Sequence, residues 1–251
     1  MGLSTVLDMQ EHRPWPLPKG PWVMTQWWRD LLFAHWPIEP SAIQTLLPDS
    51  LEVDVLDGKA WVAVVPFRMT GVRPRLTPPL PWLSHFAELN VRTYVRPKHG
   101  PKDQAGVYFW SLEASNPAAV AAARGFFHLP YMNAQMSCES RQGWIEYESR
   151  RTHRGEPPAE FKASYRPRGL TNKTDLVRWL TERYCLYTTD PKGCLYQGEI
   201  HHQAWPLEDA EANFKINTMA RACGIELPTT PPLLHFAKEI QVVIWPLRKL
   251  A

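Results

Sequence analysis

The sequence contains only four cysteines, Cys138, Cys185, Cys194 and Cys223, and no two of them form a CxxC pair. That removes the paired-cysteine zinc and redox motifs. The even count permits disulfides without arguing for them, and reduced thiols in a cytoplasmic protein are the expectation. No run of about 18 apolar residues occurs, so no membrane span is expected. Residues 1–20 are polar and proline-rich, without the apolar centre of a secretory leader. Neither sign of charge dominates. The 28 basic and 25 acidic residues leave +3, which makes no compositional case for nucleic-acid binding. The phosphate-cradling GxxxxGK[ST] and GxGxxG loops are missing, as are HExxH and GxSxG. His201-His202 comes closest to a metal pair, but neighbours on a strand point to opposite faces. No metal and no cofactor is expected.

Proline and tryptophan are abundant, with 25 and 12 copies. Proline suits turns and strand ends, and tryptophan fits pleated surfaces, so many short strands are favoured over a helical bundle. Residues 1–22 read as a proline-rich arm, poorly ordered or draped on the surface. Residues 23–251 read as one domain, because no Gly/Ser linker divides them. The fold class is α+β, mostly β: a bent antiparallel sheet or barrel with about three helices packed outside.

Within that domain, strands are predicted at 26–36, 85–96, 105–114, 131–139, 143–153, 159–166, 183–188, 194–203 and 236–245. Asp57-Gly58 between apolar runs predicts a hairpin joining 51–56 to 60–65. Helices are predicted at 40–47, at 118–127 with Asn116 as N-cap and Pro117 first, and at 174–182 with Thr174 as N-cap. A longer helix is predicted from Glu208 to Cys223, closed by Gly224.

The most informative stretch is Phe86-Ala87-Glu88-Leu89-Asn90-Val91-Arg92-Thr93-Tyr94-Val95. As a strand it sets Phe86, Glu88, Asn90, Arg92 and Tyr94 on one face. Ala87, Leu89, Val91, Thr93 and Val95 then form the other, which looks like the face packed under helices. The polar face is either solvent-exposed or the lining of a barrel cavity. Charges lining a cavity must be paired or aimed at a ligand.

Several other residues carry similar alternatives. Arg73, Arg92 and Arg124 could together grip a carboxylate or phosphate, or each could pair with an internal acid such as Glu88. Tyr131, Asn133 and Gln135 alternate onto one face, again polar-cavity or solvent. His35 and His202 could serve as general bases, although a satisfied core histidine is the commoner role. Arg183, after a predicted helix, suits the helix dipole.

These stretches resemble the YqjF-like domain-of-unknown-function family, part of the acetoacetate decarboxylase-like superfamily. The resemblance covers about residues 25–247. It rests on the strand just described and on Leu32-Phe33-Ala34-His35-Trp36-Pro37, Asp57-Gly58-Lys59-Ala60-Trp61 and Gly106-Val107-Tyr108-Phe109-Trp110-Ser111-Leu112. It continues through Ala123-Arg124 with Leu129-Pro130-Tyr131, Glu182-Arg183-Tyr184, and His202 with Trp205-Pro206-Leu207. The resemblance implies a cone-shaped antiparallel barrel with an internal cavity, and it makes Phe86-Ala87-Glu88 similar to the run that carries an active-site carboxylate. Where those decarboxylases place an imine-forming lysine pair, this sequence has Tyr131-Met132. A phenol and a thioether supply no primary amine, so Schiff-base decarboxylation is not expected. Lys162 and Lys238 are poor substitutes, one on an exposed-looking face and one at a strand start.

Two functions follow as expectations. The first is a small-molecule-binding protein holding an anionic or mixed-polarity organic ligand with Glu88, Asn90, Arg92, Arg124 and Tyr131. The second is a lyase or isomerase using Glu88 with Tyr131 or His202 as acid and base. The expected partner is a small organic ligand, with no nucleic acid and no membrane. Tryptophans near the amino end look exposed and leave a homo-oligomer open.

Overall fold

The computed structural model describes residues 3–79, 84–100 and 103–250. Nine strands close a barrel: β1 (Met24–Ile38), β3 (Ala60–Pro74), β4 (Phe86–Pro97), β5 (Gly106–Ala114), β6 (Tyr131–Arg141), β7 (Trp144–Arg151), β8 (Glu160–Leu170), β11 (Leu207–Asn217) and β12 (Leu233–Ile244). The short strand β2 (Leu51–Val53) extends the sheet from β4, and β9 (Cys185–Thr189), β10 (Leu195–His201) and β13 (Arg248–Lys249) form an appended ribbon. Pairing is antiparallel except that β5 runs parallel to β6 and to β9. The β5–β6 link explains the first exception. It passes through helix α3 (Pro117–Phe127), and a parallel neighbour needs such a crossover.

Local chemistry sets several of these boundaries. Asn116 caps α3 by accepting from Ala118 N and Ala119 N at 3.1 and 3.2 Å, with Pro117 at the first helical position. Thr174 Oγ1 caps α4 (Asp175–Thr181) by accepting from Val177 N. Gln142 and Gly143, both at positive φ, turn β6 into β7. The remaining helices are α1 (Leu3–Asp8) and α2 (Pro40–Gln44).

Two expectations fail. Residues 208–223 are not a helix. Leu207–Asn217 is strand β11, and only Arg221–Cys223 forms a single 3-10 turn. The alanines and glutamates there favour helix intrinsically, but the pattern has period two. Ala210, Ala212, Phe214 and Ile216 alternate with Asp209, Glu211, Asn213 and Lys215. The free edges of β8 and β12 take up that strand and close the barrel. The hairpin at Asp57-Gly58 is also only half right. The turn forms, with both residues at positive φ and Leu56 bridging Lys59, but residues 51–53 pair with β4 rather than with β3.

The barrel interior is apolar. Leu32, Val64, Leu89, Tyr147, Phe161 and Phe236, from strands on opposite sides of the ring, meet there in one cluster. A second cluster lies on the outer wall, where Leu31, Phe33, Val65 and Phe67 pack against α4 and Trp205. The amino-terminal arm is anchored. Val6 packs with Val243 and Trp245, and Arg13 bonds Ile200 O and Glu199, both at 2.6 Å. Trp15 is buried, and Trp22, Trp27 and Trp28 are partly buried, so the apparently exposed tryptophans give no support to an oligomer. No disulfide joins the four cysteines, and no described helix is long and apolar enough to cross a membrane.

Candidate functional site

Both faces of β4 are buried, and their roles are the reverse of the expectation. Leu89 and Val91 face the barrel interior. Glu88 and Asn90 lie opposite Ala114 and Leu112 of β5, which pack against Val120 of α3. The polar face therefore lies on the outside of the barrel wall, beneath α3 and α4. A chain that covers an antiparallel wall with helices can bury either face, so the alternation was read correctly and the side was not.

Glu88 is 2% exposed. Its Oε2 accepts a 2.6 Å hydrogen bond from the Tyr131 hydroxyl. Burial pushes the Glu88 carboxyl up to about 8, against the Tyr131 hydrogen bond and with a smaller push from the buried Glu113. Burial also raises the Tyr131 phenol well above its ordinary value, and the adjoining Glu88 adds to the rise. Near neutral pH this pair is an un-ionised acid beside a phenol, the protonation state that lets a carboxyl donate.

Two other groups hold the pair in place by their backbones. Arg124 Nη1 donates to Tyr131 O at 2.8 Å, and the Tyr147 hydroxyl reaches from the barrel interior to Glu88 O at 2.6 Å. Arg124 is thus committed to a backbone carbonyl. Among the described residues Arg73 donates one long bond, 3.3 Å, to Thr25 Oγ1. The three candidate arginines do not converge, and none pairs with Glu88.

Further along the same face, Asn90 and Arg92 are 4% and 8% exposed. Asn90 Oδ1 and Arg92 Nε have no hydrogen-bond partner among the described residues. The Arg92 guanidinium lies 5.1 Å from the Phe33 ring centroid, and no described carboxylate forms an ion pair with it. Tyr94 ends the strip. Its hydroxyl lies 2.6 Å from His35 Nε2, and burial, then Arg92 and His235, hold His35 well below the ordinary histidine range. His35 is a neutral core histidine.

His202 is also buried, with Nδ1 on Gln203 O at 2.7 Å and its ring between Tyr184 and Trp205. Desolvation lowers its pKa to about 4. None of these contacts is Glu88 or Tyr131. Asn133 and Gln135 continue the outer face from Tyr131 into solvent, where Gln135 meets Arg150. Lys162 is half-exposed and paired with Glu148, and Lys238 is exposed. No cluster of three metal-ligating side chains occurs among the described residues. Two surface depressions, of about 400 and 640 Å³, are lined from β6, β7, β8 and β11 and from the β6–β7 turn, and include Gln135, Lys162 and Trp144. Neither is lined by Glu88, Asn90, Arg92 or Tyr131.

Sequence reasoning undervalued Arg183 and overlooked Tyr147. Arg183 Nε does hold the last turn of α4 through Trp179 O, as a helix-end arginine should. It also binds buried Asp54 at 2.7 Å. Tyr147 lies on a strand whose burial alternates cleanly, and its phenol carried no signal of the carbonyl it reaches.

The fold has relatives among solved structures. The structure of the enduracididine biosynthesis enzyme MppR with HEPES buffer bound is similar at a TM-score of 0.63 and 12% identity, covering 94% of this chain and 89% of that one. Acetoacetate decarboxylase from Legionella pneumophila is similar at 0.62 and 15% identity, covering 98% and 95%. These likenesses show an acetoacetate decarboxylase-like fold. Uncharacterized protein YqjF of Bacillus subtilis (strain 168) is 46% identical over 236 residues, 93% of this chain and 95% of that protein. The model for DUF2071, described as an uncharacterized conserved protein, matches residues 25–241, and the chain belongs to that family.

Proposed function

We propose that this protein binds a small organic acid on the outer face of β4, beneath α3 and α4, and does not carry out Schiff-base decarboxylation. One observation carries the reading. A buried arginine without an acid partner, Arg92, shares a strand face with a buried carboxyl, Glu88, that has no cationic partner. Unpaired buried charge and unmet polar groups are costly, and a ligand is a common reason for keeping them. Arg92 would bind the acidic group. Protonated Glu88, steadied by Tyr131, would donate a hydrogen bond to an acceptor on the same ligand. A solved structure of MppR contains pyruvate, which makes 2-oxo acids reasonable first probes.

The absence of imine chemistry rests on Tyr131-Met132 and on the solvent-facing placement of Lys162 and Lys238. The acid–base alternative keeps Glu88 with Tyr131, which are in contact, and loses His202, which is engaged elsewhere.

The test is isothermal titration of pyruvate and a panel of short 2-oxo and 2-hydroxy acids at pH 7. Saturable heat is expected with at least one of them, weakened at least tenfold by Glu88→Gln and by Arg92→Met. Heat that both variants leave unchanged would sink the reading. Borohydride treatment with the same acids should leave no adduct on any lysine.

A further inference from the structure

Arg92 and Arg183 both act on Tyr94. Arg96 lies on the same face of β4, and Arg183 enters from the end of α4. The Arg183 guanidinium sits 4.9 Å from the Tyr94 ring centroid and 4.3 Å from that of Trp179. A single carboxylate serves the group. Asp54 pairs with Arg183 at 2.7 Å and with Arg96 at 2.8 Å. Arg96 is partly exposed and can be screened by water, whereas Arg92 and Arg183 are each 8% exposed. The other titratable groups facing this spot, His35 and Tyr94, are held neutral by burial.

The hydrogen-bond inventory points the same way. Arg92 Nε, Arg183 Nη2 and Trp61 Nε1 are all buried nitrogen donors without a partner among the described residues. Trp61 precedes Val62, which pairs with Thr93, so the indole falls on the Tyr94 face, and both rings belong to one cluster with Leu180 of α4. Three N–H donors with no acceptor, in a region carrying more buried positive than negative charge, are the complement of an oxyanion. No acceptor among the described residues takes a hydrogen bond from these three nitrogens.

We propose that Arg92, Arg183 and Trp61, arranged round Tyr94 beneath α4, form an oxyanion-binding subsite for the acidic group of a small organic ligand. The subsite rests on the small-molecule reading for the rest of that ligand, whose body would lie along Asn90 toward Glu88. It moves the acid-binding role away from Arg73 and Arg124, and makes Arg183 and Trp61 ligand-binding residues.

Simple anions test it without knowledge of the ligand. The melting temperature of the full chain is measured at pH 7 in sodium chloride, sodium acetate and sodium phosphate at matched ionic strength. A saturable rise over chloride is expected with acetate, which would mark a carboxylate, or with phosphate, which would mark a phosphoryl group. Arg92→Met should melt higher than wild type in chloride, because a buried charge without a partner has been removed, and should lose the oxyanion-dependent rise. Trp61→Phe deletes one donor while keeping an aromatic ring, and should shift the anion midpoint upward about tenfold. No rise over chloride with either anion overturns the subsite, as does an equal rise in wild type, Arg92→Met and Trp61→Phe. Arg92-dependent stabilisation by phosphate, with no binding of acetate or of any 2-oxo or 2-hydroxy acid, overturns the small-molecule reading and leaves the subsite standing. Organic-acid binding that depends on Glu88, without any anion effect, does the opposite.

Discussion

The wall formed by β4 and β5 carries a buried acid on each side, each with a buried arginine on the same side of the wall, and the two sets are treated differently. On the inner side, Glu113 of β5 meets Arg151 of β7 at 2.5 Å, with Ser111 on its other oxygen and Pro157 O on the arginine. Every charge there is answered within the chain. On the outer side, Glu88 and Arg92 stand four residues apart on one strand, neither has an ion-pair partner among the described residues, and Asn90 Oδ1 and Arg92 Nε lack a hydrogen-bond partner among them. The same fold that satisfies one buried pair leaves the other apart. Burial alone does not account for the difference, because Glu88 and Glu113 are both almost fully buried. The inner pair is complete within the chain, and on the function proposed above the outer groups would be completed by a ligand.

The largest effect should come from breaking the inner pair. Glu113→Ala leaves Arg151 as an uncompensated buried charge and should cost about 3–5 kcal/mol in denaturant unfolding. Arg92→Met, on the outer side, should cost nothing. A comparable loss at both positions would erase the contrast.

The next effect is in pH dependence. Glu88 has an ordinary value of 4.5 and a folded value of about 8. Between those values the folded state keeps a proton that the unfolded state has lost. Its contribution to stability is therefore greatest below pH 4.5 and falls as pH rises toward 8, by at most about 1.4 kcal/mol per pH unit. Glu88→Gln should flatten that part of the stability–pH curve while leaving acidic stability little changed. A curve of unchanged slope would place the charged form of Glu88 in the fold.

A smaller effect is expected at Tyr131. Tyr131→Phe removes the 2.6 Å donor to Glu88 and should destabilise by roughly 1–3 kcal/mol at neutral pH. It should also raise the Glu88 titration further, because that hydrogen bond favours the carboxylate. A lowered titration would contradict the role given to the phenol.

Much of this contrast was legible from residues whose signal is local. The alternation of Phe86 to Val95 announced a strand with one polar face, and Asn116-Pro117 and Thr174 announced two helix starts. Which face would meet the helices was not legible, because alternation gives two sides without saying which one turns inward. Residues 208–223 misled because alanine and glutamate carry helix propensity that tertiary pairing overrode, although the alternation from Asp209 to Asn217 was present throughout. Arg183 could be given its helix-end role from position alone. Its meeting with Tyr94 and Asp54, 129 residues distant from the latter, is set by barrel closure and has no local mark.

In the proposed function, Glu88 is a protonated donor to a ligand whose acid lies with Arg92. The most direct measurement is the affinity of a binding organic acid between pH 6.5 and 9.5, for wild type and Glu88→Gln. Wild-type affinity should fall as pH passes about 8, where Glu88 ionises, and the variant should bind more weakly with no such fall. Wild-type affinity that holds constant across that range, or an equal fall in both proteins, would contradict it.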